Sequence, residues 1–440
     1  MPHKVGSLLL LGADRHILRA CSELGVDATV VYGTSAKEFG LPPIPNGVRE
    51  VHVEDQHNID SVMAGLFREG LGARQFDSVY TNDEMAIVAS AALGQYFGAR
   101  SIPMKTAVNF RDKSVQKMAV RNAGVRTAQF EVIRDITAIP DGWAFPFESA
   151  VVKPIAGAAT AMTYQVTSRA DIERVAKQSR SFRTAQRTFI LEEFNVGQEW
   201  HVDGVVHAGE LLFMSLGRYG EPFLTAVTEL TPPRMRKYDP LKDEWAYALA
   251  TPVVRKALEA LELESGIFHM ELFYDATDGS VAFGECAARR GGGLTQEEVR
   301  HKFGVSLSHC AVQSALGISP TIAVSVRPET VGSIHLPTVE GTLLSCPSAE
   351  EISALPGVVF ARIDLPTGYP MPDIARNTLV KLGHVLLQDN SSESLWGRLD
   401  EVVAWFLERV VVVPPGATPS ELRVWEQGID VTSRPSAGFI

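Results

Sequence analysis

The chain has 440 residues, enough for two to four domains with sizeable cores, and its 45% hydrophobic and 21% charged content is that of a globular protein. A formal net charge of −11 builds no basic footprint, and no apolar run approaches a membrane span, so neither nucleic acid nor membrane is an expected partner. Cys21, Cys286, Cys310 and Cys346 are scattered without metal-ligand spacing and read as reduced core residues.

The opening MPHKVGSLLLLGADRH has no small-residue cleavage site after its apolar run and passes straight into patterned sequence. A buried first strand over 5–11 is expected there in place of a signal peptide, and with it a cytoplasmic location. Residues 15–24 have helical spacing and stop at Gly25. Strands follow at 28–32, 48–53 and 78–81, with a helix over 59–69. This alternation predicts an open parallel sheet with function at the C-terminal ends of its strands. TNDEMA stands at one such end; Asn82, Asp83 and Glu84 either cap the next helix, the commoner use, or face a substrate. The loop GADRH lacks the second and third glycines of a dinucleotide fingerprint.

FRDKSVQKMAVRNAGV (110–125) reads as an amphipathic helix ended by Gly124, its Asp112-Lys113 start giving a cap and a solvated lysine. In AVVKPIAGAATA (150–161), Lys153 interrupts a β-type run. Lysine there calls for an anion, and the small-residue loop 157–161, with Ala156, Ala158 and Ala159 around Gly157, lets backbone N–H groups cradle phosphate. A snorkelling edge-strand lysine is the alternative. TFILEEF (188–194) is a strand broken by Asn195-Val196-Gly197, and EWHVDGVV (199–206) resumes it. Such a hinge offers N–H and C=O groups to an adenine edge and a carboxylate to ribose hydroxyls; a connector with solvated acids is the alternative.

GIFHMELFYDATDGSVAFGECAARRGGG (266–293) predicts a hairpin about Asp278-Gly279. With Tyr274 facing Ala282, Glu271 falls opposite Glu285 on a face shared with Ile267, His269, Phe273, Val281 and Phe283. Two opposed carboxylates among apolar neighbours need compensation, which a hard divalent cation supplies; a hairpin with both acids in water is the alternative. Gly291–Gly293 then open a helix over 296–302, beside Arg289 and Arg290, which favours an anion at the loop over the alternative of a flexible turn. Arg218, Tyr219 and Arg234 are candidates to fix a substrate carboxylate, ordinary loop residues being the equal alternative. From 326 onward the chain reads as a smaller α/β unit, with strands at 330–336 and 358–364 and a helix over 394–410; the tail from 414 is turn-rich.

The order of these pieces resembles the ATP-grasp superfamily, specifically its carboxylate–amine ligases of the L-amino-acid ligase type, over roughly residues 5–410. The resemblance implies an α/β ATP-grasp fold. Its parts are an N-terminal Rossmann-like pre-ATP-grasp domain (1–108), a small lid part (109–197), a central antiparallel-sheet catalytic part (198–325), a C-terminal α/β unit (326–412) and a tail (413–440). It assigns Lys113 and Lys153 to the ATP phosphates with the Gly157 loop, Glu192 with the backbone of Phe194 and Asn195 to adenine, and Glu199 to ribose. Glu271 and Glu285 become Mg²⁺ ligands, with Mn²⁺ as a substitute. Arg289 stabilises the transferred phosphoryl group, and His269 and Gly292 lie near the reacting carboxylate. In the common pattern an Asn ligand stands where this chain has Ala287, which leaves the second metal in question.

The implied activity joins a carboxylate, from an amino acid or related acid, to an amine through an acyl phosphate, with release of ADP and phosphate. The partners are then two small molecules, and a homodimer is a family expectation. A bicarbonate- or formate-activating enzyme of the biotin carboxylase or purine-synthesis kind is the runner-up; an ATP-binding protein without turnover, argued only from Ala287, is the third reading.

Overall fold

Leu8, Leu9, Leu10 and Leu11 are completely buried, as a strand covered on both faces requires. Their strand, Ser7–Leu11, lies inside a parallel sheet ordered Arg49–His52, Asp27–Tyr32, Ser7–Leu11, Ser78–Tyr80. Helices Arg15–Glu23 and Ile59–Arg68 make crossovers. Asp14 and Asn58 cap them, each accepting two backbone N–H groups of the first turn. This computed structural model describes residues 5–38, 41–158, 160–179, 187–371 and 380–417. Ala159, residues 180–186 of the expected lid part and most of the expected tail lie outside them.

The chain forms two compact units. The first comprises Met1–Ser215, Trp245–Gly291 and Val305–Val324; the second comprises Leu216–Glu244, Gly292–Gly304 and Ser325–Ile440.

In the first unit the parallel sheet is joined by two antiparallel ones. The smaller is ordered Phe130–Ile133, Phe189–Glu193, Ala150–Pro154, Tyr164–Val166. Its core of Val152, Val166, Ile172, Phe189 and Leu191 includes the helix Arg169–Ser179. The larger places Ser280–Ala287 beside Gly266–Asp275, which pairs in turn with Gln198–His207. Helix Leu307–Ala315 packs on both Arg15–Glu23 and the strand Gly266–Asp275, tying the parallel sheet to this one.

The helix expected over 110–125 is two helices, Met104–Arg111 and Lys113–Asn122. The break is Asp112, whose backbone is extended (φ −100°, ψ 111°) and whose side chain accepts from the N–H groups of Ser114 and Val115. An aspartate competes for backbone donors in this way and starts a new helix where periodicity alone suggests continuity.

In the second unit, strands Arg234–Lys237, Thr330–Leu336, Gly383–Asp389 and Val358–Ile363 pair antiparallel in that order. Helix Ser392–Leu407 buries Leu395, Leu399 and Phe406 against them, and helix Thr295–Phe303 packs on the strand Thr330–Leu336. Arg218, Tyr219 and Arg234 stand on strands and not in loops: Arg218 opposes Arg236, and Arg234 is paired with Glu221 and Asp400 at 2.6 Å each. No helix among the described residues is long and apolar enough to cross a membrane.

Candidate active site

Glu271 and Glu285 are directly opposed in the hairpin, but not through the expected register. The observed pairs nearer the turn are Tyr274–Val281, Phe273–Ala282 and Leu272–Phe283, one residue off the expected Tyr274–Ala282. Gly284 is the extra residue that shifts the register back, a bulge that re-aims the strand beyond it. A Cβ on Gly284 would lie 2.9 Å from the Glu271 carbonyl oxygen and 2.9 Å from the Phe273 ring, so a residue without one is needed. The bulge also corrects the face. Val281 and Phe283 pair with Tyr274 and Leu272 on the opposite side, and Ala282 stands beside Phe273 on the glutamate side.

The third strand completes that surface. Glu199 opposes Phe273, His201 opposes Glu271, and Asp203 opposes His269, while Ala287 lies across from His269 on the other flank. Alternation along EWHVD therefore turns Glu199, His201 and Asp203 to the glutamate face. Burial, then the charges of Glu285 and Glu199, push the Glu271 carboxyl up to about 8. Burial would raise Glu285 as well, but the charges of Lys113 and Lys153 outweigh it and hold that carboxyl well below the usual range.

Three lysines meet these acids. Lys153 Nζ lies 3.0 Å from Glu285 and 3.4 Å from Glu192. Lys113 Nζ lies 3.5 Å from Glu285 and donates to the Gly157 carbonyl at 3.1 Å. Far from being solvated, Lys113 is only 8% exposed. Lys117, one helical turn further on, was not singled out by sequence. It is buried, donates to the bulged Gly284 carbonyl at 2.8 Å and pairs with Glu192 at 3.2 Å. Burial would lower Lys153, yet Glu192 and Glu285 hold it above the ordinary lysine value; for Lys117 burial wins and the shift is downward.

Arg289 and Arg290 leave this hairpin and reach the C-terminal ends of the parallel strands. Arg289 Nη2 donates to Glu84 at 2.5 Å, and Arg290 pairs with Asp14. Burial opposes the Arg289 charge, but Glu84 overcomes it and raises the pKa. Of the TNDEMA residues, Asp83 is a cap, accepting from Met85 N, and also binds His57 at 2.8 Å, whereas Glu84 is the arginine's partner. Asp203 Oδ1 accepts from Gly291 N–H at 2.7 Å and lies 3.0 Å from His269 Nδ1. Against the lowering effect of burial, Asp203 raises His269 above its ordinary value. The other ring nitrogen, Nε2, is 4.0 Å from Glu271. His201, Asp203 and His269 bring their ligand atoms within 4.8 Å of one another.

At the hinge, Phe194 N–H is already bonded to the Ser149 carbonyl, and Asn195 Oδ1 accepts from Gly197 N–H at 3.0 Å. The Glu192 carboxylate faces the lysines, so a contact to an adenine edge there falls to the backbone beyond it. Glu199 is buried on the glutamate face, and Gly292 belongs to the second unit, where its carbonyl accepts from Thr295 Oγ1.

The donor set fits a hard divalent cation. Two opposed carboxylates offer only oxygen ligands, and a bound cation would offset both the burial and the neighbouring negative charges that push Glu271 up. Lys113 and Lys153 present positive charge on the Glu285 side, as a polyphosphate requires, whereas in the expected phosphate loop the Gly157 carbonyl accepts from Lys113 and the Gly157 N–H is bonded to the Pro154 carbonyl.

No protein-family model matches the chain. Its sequence is 26% identical over 323 residues to an L-arginine-specific L-amino acid ligase of Bacillus subtilis, covering 70% of this chain and 74% of that one. The structure is similar to that of an L-amino acid ligase from Bacillus licheniformis, with TM-score 0.75 and 20% identity, over 94% of this chain and all (100%) of the other. It is also similar to a biotin carboxylase from Campylobacter jejuni (TM-score 0.64, 13% identity, 93% and 92% covered). An N5-carboxyaminoimidazole ribonucleotide synthetase in complex with ADP matches too (TM-score 0.66, 15% identity, 91% and 97% covered).

Proposed function

We propose that this chain, similar in sequence and fold to L-amino-acid ligases, is an ATP-grasp carboxylate–amine ligase that uses ATP to join an amino acid or related acid to an amine. The observation that carries this reading is the opposed Glu271–Glu285 pair with Lys113 and Lys153 beside it. ATP is a substrate here. Its phosphates meet Lys113, Lys153 and the Gly157 loop, and its adenine and ribose lie at the Phe194–Asn195 backbone and Glu199. Glu271 and Glu285 would hold Mg²⁺, or Mn²⁺ in its place, which neutralises charge on the transferring phosphoryl group.

The chemistry overcomes a poor electrophile. A carboxylate oxygen attacks the γ-phosphorus, the bond to the β–γ bridging oxygen breaks, and ADP leaves. The amine nitrogen then attacks the acyl carbon, the C–O bond to phosphate breaks, and phosphate leaves with that oxygen. Arg289, fixed by Glu84, faces the negative charge that develops in both steps. His269, oriented through Nδ1 by Asp203, takes a proton that the amine sheds. The Glu192 carboxylate holds Lys153 and Lys117 in place between turnovers.

Phosphate release from ATP and Mg²⁺ is measured across an amino-acid panel, singly and in pairs, with Glu285→Ala as control. Release that needs particular amino acids and vanishes in the control is the expected result. Release with bicarbonate or formate alone would replace amino-acid ligation with the runner-up chemistry.

A further inference from the structure

Arg111, the last residue of helix Met104–Arg111, has no part in the roles assigned above. Asp112 breaks the helix after it, and the residues on both sides of the break reach the loop that follows strand Ala150–Pro154. Arg111 Nη2 donates to the Ala156 carbonyl, and Nη1 donates to the Gly157 carbonyl at 3.4 Å. Lys113 donates its backbone N–H to the Ile155 carbonyl at 2.9 Å and its Nζ to the same Gly157 carbonyl at 3.1 Å. Two cations therefore share one carbonyl oxygen.

That arrangement satisfies the N–H groups of Arg111 but not its charge. Its remaining acceptor, the Met85 sulfur, is a weak one. Glu84, Asp83 and Asp112 act on it through space only, and burial outweighs them, lowering its pKa. Each of these acids is engaged elsewhere. Glu84 accepts from Arg289, Asp83 binds Gln56 and His57, and Asp112 caps the helix that Lys113 begins. Lys113 at least has Glu285 at 3.5 Å. A guanidinium and an ammonium on one neutral oxygen repel each other, and an anion reaching both relieves them. The loop backbone does not supply the donors for such an anion by itself. Gly157 N–H is bonded to the Pro154 carbonyl and Ala161 N–H to the Ala158 carbonyl.

We propose that Arg111 is a third cation for the ATP phosphates beside Lys113 and Lys153, exchanging the Ala156 and Gly157 carbonyls for phosphate oxygens when the nucleotide binds. The inference rests on the ATP reading given above. A phosphate oxygen offers the guanidinium fork a charged acceptor in place of a neutral one, which makes the stronger bond.

The test measures binding of the ATP analogue AMP-PNP with Mg²⁺ to full-length protein by calorimetry, for the wild type, Arg111→Gln and Arg111→Lys. A glutamine amide still donates to a loop carbonyl but carries no charge, whereas lysine keeps the charge without the fork. Arg111→Gln is expected to bind about 10-fold or more weakly and with a shallower dependence on salt, and Arg111→Lys to lie between it and the wild type. Affinity in Arg111→Gln equal to that of the wild type would reduce Arg111 to a support for the loop and overturn this inference alone. Arg111→Lys no better than Arg111→Gln would also overturn it, because charge would not be what the site uses. A wild type that binds no AMP-PNP would instead overturn the ATP reading, and this inference with it.

Discussion

Glu285 stands across from Glu271 because Gly284 bulges out of the strand just before it. The same displaced peptide presents its carbonyl to Lys117 at 2.8 Å, so one irregular residue sets both the carboxylate pair and a buried lysine. Gly284→Ala puts a methyl group 2.9 Å from the Glu271 carbonyl oxygen. It should cost about 2–4 kcal/mol of stability and most of the phosphate release. Urea unfolding and activity on the same preparation check this; an unfolding midpoint like that of the wild type would contradict it.

Lys117 and Lys153 bind the same Glu192 but are expected to fail differently. Lys117→Met leaves Glu192 short of a buried partner and should cost about 3–5 kcal/mol, read from the denaturant midpoint. Lys153 has the more accessible side chain and lies beside Glu285. Lys153→Met should chiefly raise KM for ATP.

Glu84→Gln tests whether Arg289 must be held to work. Glu84 accepts from both Nε and Nη2 of Arg289, and without its charge that hold on the guanidinium is weakened. A loss of about 10- to 100-fold in kcat with folding intact is expected. An unchanged kcat would make the contact merely structural.

Part of the candidate site's geometry was legible in the sequence. The two glutamates were found, although through a pairing that the bulge shifts, because a one-residue error in register was cancelled by the extra residue. Period-two reasoning has no means of placing a bulge, and the Gly284 between Phe283 and Glu285 was its only mark. Lys117 was missed although it lies four residues after Lys113, a spacing that puts both on one helix face. Asp203 was missed: the alternation of EWHVD puts it on the face of Glu199, but its partners, His269 and Gly291, are set by tertiary contact. Glu84 was seen but read as a cap, since local chemistry cannot announce a partner 205 residues away.

The Glu271 carboxyl gives a pH signature in protein free of nucleotide and metal. Its folded pKa is raised to about 8 from an ordinary 4.5, so across that window the folded protein keeps a proton the unfolded chain has lost. Its contribution to stability is therefore greatest at the acid end and is lost as pH rises through the window. Glu285, shifted downward, contributes the opposite way, losing stability only as pH falls below the ordinary range. Glu271→Gln should match the wild-type melting temperature near pH 5 and exceed it by about 1–3 °C near pH 8.5. A gain that is equal at both pH values would contradict the assignment.

The measurement that tests the ligase reading most directly follows oxygen. An amino acid that supports phosphate release is labelled with ¹⁸O in its carboxylate and turned over with ATP, and the released phosphate is examined by ³¹P NMR. An acyl phosphate formed on that carboxylate requires one ¹⁸O to appear in each phosphate released. Phosphate without label, alongside ADP formation, would mean that water and not the carboxylate receives the phosphoryl group, and the proposed chemistry would be wrong.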